Sequence, residues 1–251
     1  VAVGADQLVA ENLSVLTPEG RCVVDGFHLH LAAGERVLVL GSTGRGKSIL
    51  VRALAGLWSH MTGQMEVPED CMFIQGFSFP PMSLRRLLVY PRDTVCEVEP
   101  ALQAVGAACL CKDSESLDVV RHWEEVLSRE MQERVQFARV LLQKPRFAVL
   151  DEPLASLDTE EANDLLQLLP ESTGVLVFSR REAPIQRVIE LRDPAAQQLE
   201  QEVLGSTTIT SSSASGAPNA GLQQLLRTGK PRQSVQPSQP RPKRGARSQQ
   251  R

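Results

Sequence analysis

The chain has 251 residues with 27 basic and 30 acidic side chains and a formal charge of −3, long enough for one or two domains with a full core. The near-neutral total hides an uneven division: residues 205–251 hold eight Lys or Arg and no acid, leaving 19 basic and 30 acidic groups in residues 1–204. No apolar run approaches the length of a membrane-spanning helix and none reads as a signal peptide. Five cysteines at 22, 71, 96, 109 and 111 lack paired zinc-type spacing, which excludes a zinc framework and points to reduced thiols in a cytosol-like compartment. The chain opens on Val1, not Met, as a processed product or a piece of something longer would.

In chain order, residues 8–16 and 21–31 are alternating or apolar runs around a Thr17-Pro18-Glu19-Gly20 turn, and they predict a hairpin. Residues 37–40 predict a short buried strand and residues 49–57 a helix. Between them Gly41-Ser42-Thr43-Gly44-Arg45-Gly46-Lys47-Ser48 fits the Walker A pattern G-x-x-x-x-G-K-[ST], with Ile49 continuing the set into the helix. The glycines let the backbone curl so that successive amides point at phosphate, and the helix start adds its own unpaired N–H groups. Lys47 is then placed for the β- and γ-phosphates and the Ser48 hydroxyl for Mg²⁺, making nucleotide phosphate binding the first expectation.

Farther on, residues 65–74 predict one more strand, followed by Gln75 and a loop holding Pro80-Pro81. Residues 83–89 predict a short helix stopped at Pro91, and residues 101–110 and 116–127 two more. Apolar groups at 131, 135, 138, 141 and 142 mark a helix over 130–142. Residues 147–150 predict an apolar strand running into Asp151-Glu152-Pro153, residues 160–169 an amphipathic helix, 174–178 a buried strand and 188–191 a last one. Strands alternating with helices predict a layered α/β domain over 1–204, with a helical subdomain at about 92–140. Beyond it the Ser, Thr, Pro, Gln and basic residues of 205–251 bury no core and predict a disordered basic tail. Arg241, Lys243, Arg244, Arg247 and Arg251 suit anionic lipid or nucleic acid, but a solubilising tail or read-through serves equally, and the absence of interleaved aromatics argues against nucleic acid.

Together these motifs resemble the nucleotide-binding domain of ABC transporters, over about residues 8–192. Phe147-Ala148-Val149-Leu150-Asp151-Glu152-Pro153 is similar to the Walker B strand, Ala155-Ser156-Leu157-Asp158 to the D-loop, and Gln75 to the Q-loop glutamine. Leu127-Ser128-Arg129-Glu130-Met131-Gln132-Glu133-Arg134 resembles the signature motif that covers the γ-phosphate on a facing subunit. The resemblance implies a P-loop NTPase fold of ABC type, with a mixed N-terminal sheet, a parallel core sheet and a helical subdomain. It implies ATP and Mg²⁺, with Asp151, Ser48 and Gln75 at the metal, Glu152 polarising the attacking water and Ser128 donating to the partner's nucleotide. Arg52-Ala53-Leu54-Ala55-Gly56-Leu57-Trp58, Ser83-Leu84-Arg85, Tyr90-Pro91 and Trp123 are similar to the D subfamily of peroxisomal and lysosomal half-transporters and their bacterial relatives. That implies a second nucleotide-binding domain, a transmembrane domain upstream or in another chain, and a place on the cytosolic face of a membrane.

Three positions depart from the family. Glu130 stands where the signature carries glycine, and shifting the alignment by one residue does not restore it. Arg180 stands in place of the switch histidine; its fork of donors suits a γ-phosphate, but it relays no proton near neutral pH. The loop at Leu16-Thr17-Pro18 has no aromatic to stack on adenine. ATP binding is therefore expected to be intact and turnover slow, as in a degenerate site. Two other roles stay open: a soluble ABC ATPase acting on a macromolecule, and an ATP-dependent dimerisation or regulatory module.

Overall fold

Two packed sheets and the helices around them follow from how apolar side chains alternate along the strands. The computed structural model describes residues 2–3, 6–92, 96–111, 117–191 and 194; the predicted tail over 205–251 lies outside them. One sheet is formed by β1 (Ala2–Val3), β2 (Leu8–Leu16), β3 (Cys22–Leu31) and β5 (Met61–Val67), in the order β1-β5-β2-β3, with β2 antiparallel to both β3 and β5. The second comprises β4 (Arg36–Leu40), β6 (Cys71–Gln75), β7 (Phe147–Asp151), β8 (Gly174–Ser179) and β9 (Arg187–Glu190), all parallel, in the order β6-β7-β8-β4-β9.

Successive residues of a strand face opposite sides, and both faces of the parallel sheet are covered. Val37, Val39, Phe147, Val149, Leu176 and Phe178 face the antiparallel sheet and α1 (Lys47–Leu54). Leu38, Ala148, Leu150, Val175 and Val177 face the opposite way, into a core with α2 (Leu84–Val89), α3 (Glu99–Ala104), α5 (Arg129–Gln143) and α6 (Thr159–Gln167). Double-sided burial explains why these strands read as continuous apolar runs.

Register places the site. Leu40 lies beside Ser179, Phe178 beside Asp151, and Asp151 beside Gln75, so four strands end at one level. Ligands of open parallel sheets bind outside such carboxyl ends.

Several boundaries differ from the expected ones. The single strand expected at 65–74 is two, β5 and β6, belonging to different sheets. Pro68 between them has no N–H for a ladder, and Met65 and Val67 pack into one core while Ile74 packs into the other. The helix expected at 101–110 stops at Ala104, because Gly106 turns at φ +74 before a 3-10 turn over Ala108–Cys111. Of the helix expected at 116–127, residue 116 falls outside the described residues and only α4 (Trp123–Val126) forms, its indole donating to the Met82 carbonyl at 2.7 Å. The helix expected at 49–57 begins earlier, at Lys47, inside the phosphate loop, and ends at Leu54.

Candidate functional site

The loop from β4 to α1 is shaped by glycines at positive φ. Gly46 is the N-cap of α1 at φ +81, and a Cβ on it would lie 2.9 Å from Val24 Cγ2 and 3.1 Å from the Val23 carbonyl. Only a residue without a side chain fits there. Gly44, at φ +83, faces open space. The loop walls an open cleft of about 340 Å³ bounded by Val23, residues 43–49, Glu152 and Arg180. Lys47 is 6% exposed, and its Nζ curls back to donate to the carbonyls of Gly41 and Ser42, the latter at 3.1 Å. Arg45 Nε donates to Ser42 Oγ at 3.2 Å, bracing Ser42 across the turn.

Gln75, at the end of β6, bridges the loop and the neighbouring strand. Its Nε2 donates to the Ser48 carbonyl at 3.0 Å and to Asp151 Oδ2 at 2.9 Å, while its Oε1 accepts from Arg52 Nε at 3.2 Å. Asp151 Oδ1 is buried and has no hydrogen-bond partner among the described residues. An unpaired buried carboxylate oxygen is costly, and this one ends a strand beside Ser48 and Gln75. The Asp151 carboxylate and the Ser48 hydroxyl are hard oxygen donors that suit Mg²⁺; the Gln75 amide turns its NH₂ to Asp151 and its oxygen to Arg52, so it joins the donor set only if the amide turns over. Ser48, Asp151 and Glu152 also line an adjoining hollow of about 400 Å³ shared with Gln132, Glu133 and Gln136 of α5.

Glu152 takes φ +48, and its N–H donates to the Phe178 carbonyl at 2.8 Å. Its Oε1 lies 3.2 Å from Lys47 Nζ and 3.3 Å from Arg180 Nε, and its Oε2 accepts from the Arg180 backbone N–H at 3.4 Å. The structure therefore brings Gly41–Ser48, Ile49, Gln75, Asp151, Glu152 and Arg180 to one end of the parallel sheet. Ser128 is the exception. It caps α5, its Oγ accepting from the Met131 N–H at 3.2 Å, and it does not line the phosphate-loop cleft. A hydroxyl that accepts in this way keeps one proton to donate.

Around Ser128 the side chains are engaged within the protomer. Glu130 Oε1 accepts from Arg134 Nε at 3.0 Å, turning the carboxylate along its own helix. Arg134 also donates to the Val105 carbonyl at 2.7 Å and to Glu161. Gln132 Nε2 donates to the carbonyls of Glu124 and Leu127. Glu133 accepts from both the N–H and the Oγ of Ser156, and Arg181 donates to the Leu157 carbonyl at 2.9 Å. Arg52, Glu133 and Arg181 were not among the sequence candidates, because each acts on a partner 23 or 24 positions away and no local pattern marks such a pair. Deeper along α5, burial pushes the Arg139 guanidinium down to about 10; it lies over the Phe79 ring and donates to the Tyr90 carbonyl.

Residues 24–155 match the ABC transporter family, ABC_tran. Over 181 residues the chain is 32% identical to an uncharacterized ABC transporter ATP-binding protein of Haemophilus influenzae, covering 69% of this chain and 30% of that one. It is 29% identical over 187 residues to the lysosomal cobalamin transporter ABCD4 of Mus musculus, covering 67% and 31%. With the inner membrane ABC transporter ATP-binding protein YddA of Escherichia coli the identity is 26% over 181 residues, covering 67% and 31%. The chain thus spans 30 to 31% of the length of these curated relatives. A solved structure of a bacterial Atm1-family ABC exporter with ATP bound matches with a TM-score of 0.64 at 20% identity, over 87% of this chain and 44% of that chain. At that identity the likeness concerns the fold. No helix among the described residues is long and apolar enough to cross a membrane.

Proposed function

The chain belongs to the ABC transporter family and carries its ATP-binding domain, and from that premise we propose that it hydrolyses Mg-ATP slowly to power transport across a membrane. The observation that carries this reading is the meeting of Lys47, Gln75, Asp151 and Glu152 at the ends of adjacent parallel strands, with Lys47 Nζ 3.2 Å from Glu152 Oε1.

Backbone amides of residues 42–48 would cradle the phosphates, and Lys47 would trade its carbonyl partners for the β- and γ-oxygens. Ser48 and Asp151 would hold Mg²⁺, joined by Gln75 once its amide oxygen turns from Arg52, and the ion would supply charge neutralisation. Water would bond through its oxygen to the γ-phosphorus while the bond from that phosphorus to the bridging oxygen breaks, its electrons leaving with ADP. Glu152 would take the water's proton. Ser128, which stands outside the phosphate-loop cleft, would serve the nucleotide of a facing domain, a second copy or a relative. Transport needs membrane-spanning segments, in a longer protein or another chain, and the domain would then work on the cytosolic face.

The test is steady-state turnover of wild type, Lys47→Ala and Glu152→Gln. Lys47→Ala should lose nucleotide binding, and Glu152→Gln should bind Mg-ATP but turn over about 100-fold more slowly. The cation pairing of Glu152 and the carboxylate at 130 favour one second reading, an ATP-dependent dimerisation module. Equal turnover in wild type and Glu152→Gln, with binding intact, would select it.

A further inference from the structure

We propose that Arg180 is a brake on Glu152, a positioning residue whose guanidinium must leave the carboxylate before water can occupy its place. The proposal rests on the reading of Glu152 as the group that takes the water's proton. Oε1 of Glu152 faces two cations, Lys47 Nζ at 3.2 Å and Arg180 Nε at 3.3 Å, and Oε2 faces the Arg180 N–H at 3.4 Å. Both oxygens are thus engaged by donors, and Arg180 supplies a donor to each.

The two cations differ in what releases them. Lys47 is 6% exposed and already lies among the phosphate-loop carbonyls, so an arriving γ-phosphate replaces Glu152 as its anion. Arg180 borders the same cleft, but among the described residues its guanidinium pairs with Glu152 and not with the phosphate loop. Its side chain is 51% exposed, and a guanidinium keeps its proton at all working pH values, so the pair parts only by movement. A neutral histidine at this position would impose no such attraction.

The loop that presents Arg180 is anchored on both sides. The Gly41 N–H donates to the Ser179 carbonyl at 3.1 Å, the Arg181 N–H donates to Ser179 Oγ at 3.0 Å, and the Arg181 guanidinium holds the Leu157 carbonyl at 2.9 Å. The guanidinium is therefore returned to the carboxylate after each excursion. Half-exposed ion pairs are weak and salt-screened, so the brake should slow turnover by about two- to tenfold.

The experiment compares the full chain as wild type, Arg180→Gln, Arg180→Lys and Arg180→His, reading turnover at saturating Mg-ATP and the affinity for a non-hydrolysable Mg-ATP analogue. Arg180→Gln and Arg180→His should raise kcat by about two- to tenfold with analogue affinity within about twofold, while Arg180→Lys stays near wild type. High salt should raise kcat in wild type and leave Arg180→Gln flat. Unchanged kcat in Arg180→Gln and Arg180→His overturns the brake, as does a joint fall of kcat and affinity, which marks Arg180 as a phosphate ligand instead. Failure of the underlying reading shows separately, as Glu152→Gln turning over like wild type.

Discussion

Both carboxylate oxygens of Glu133 bind one residue: Oε2 accepts the Ser156 N–H and Oε1 accepts the Ser156 hydroxyl, each at 2.8 Å. Glu133 belongs to α5 and Ser156 to the loop that follows Glu152, so the pair ties the helix capped by Ser128 to the segment leaving the proposed catalytic carboxylate. Glu133 is nearly buried, 14% exposed, with Arg129 Nε at 3.6 Å.

Replacing Glu133 by Ala leaves the Ser156 N–H and hydroxyl without their acceptor. Hydrogen bonds to a charged group contribute about 1.5–3 kcal/mol each. Glu133→Ala should lower the melting temperature by several degrees and reduce kcat by about tenfold, with nucleotide affinity unchanged. Glu133→Gln, which keeps one acceptor, should fall between. Thermal melts and saturation kinetics check this, and a kcat equal to wild type in Glu133→Ala would refute the positional role.

Two loop glycines at similar φ should respond differently to alanine. At Gly46 the new Cβ meets Val24 Cγ2 and the Val23 carbonyl, whereas at Gly44 it meets nothing within 4 Å. Gly44→Ala should cost about 1 kcal/mol from backbone strain alone. Gly46→Ala should cost up to about 3 kcal/mol and abolish nucleotide binding. Chemical denaturation and equilibrium nucleotide titration separate the two; equal losses would contradict the packing difference.

Glu130 lies in the first turn of α5, and its carboxylate is half exposed even while Arg134 holds it. Brought toward a phosphate on a facing domain, that charge repels by about 1 kcal/mol. Glu130→Gly in a Glu152→Gln background should therefore strengthen ATP-dependent self-association about fivefold. Arg134 retains its bonds to Val105 and Glu161, so the helix should remain docked. Sedimentation with and without Mg-ATP measures the change, and weaker association would reverse the argument.

Burial, with the Asp70 charge behind it, pushes the Cys71 thiol up to about 12. A folded-state value above the unfolded one favours the folded protein below the unfolded value near 9, and that contribution is lost as pH rises toward 12. Each pH unit in that window should remove about 1.4 kcal/mol at most, and less in Cys71→Ala. At mildly alkaline pH iodoacetamide should label the exposed Cys109 well before Cys71. Mass spectrometry of the labelled chain reads the order, and early labelling of Cys71 would show the thiol to be accessible.

Legibility followed range. The phosphate loop and the Asp151-Glu152 strand end were readable because each is a contiguous pattern whose local geometry dictates its residues. The division of 65–74 between two sheets was not, since Pro68 marks a break without saying where each half goes. The helix expected over 116–127 shrinks to α4 because Arg121 pairs as an antiparallel bridge with Met82 and the Trp123 indole donates to the Met82 carbonyl, contacts that the local pattern does not show. Glu130 illustrates the limit: its identity showed a departure from the family, and only Arg134, one turn on, showed which way the carboxylate turns.

From sequence alone came the α/β class, the family and the residues proposed to face a nucleotide, because strand period, turn glycines and motif spacing are local constraints. The tertiary structure alone decided the state of those residues: Lys47 and Arg180 both on Glu152, Gln75 spanning Ser48 and Asp151, Glu133 holding Ser156. These contacts arise where parallel strands of distant sequence end at one level. Their distances depend on sheet register, a long-range property that no segment of the chain carries by itself.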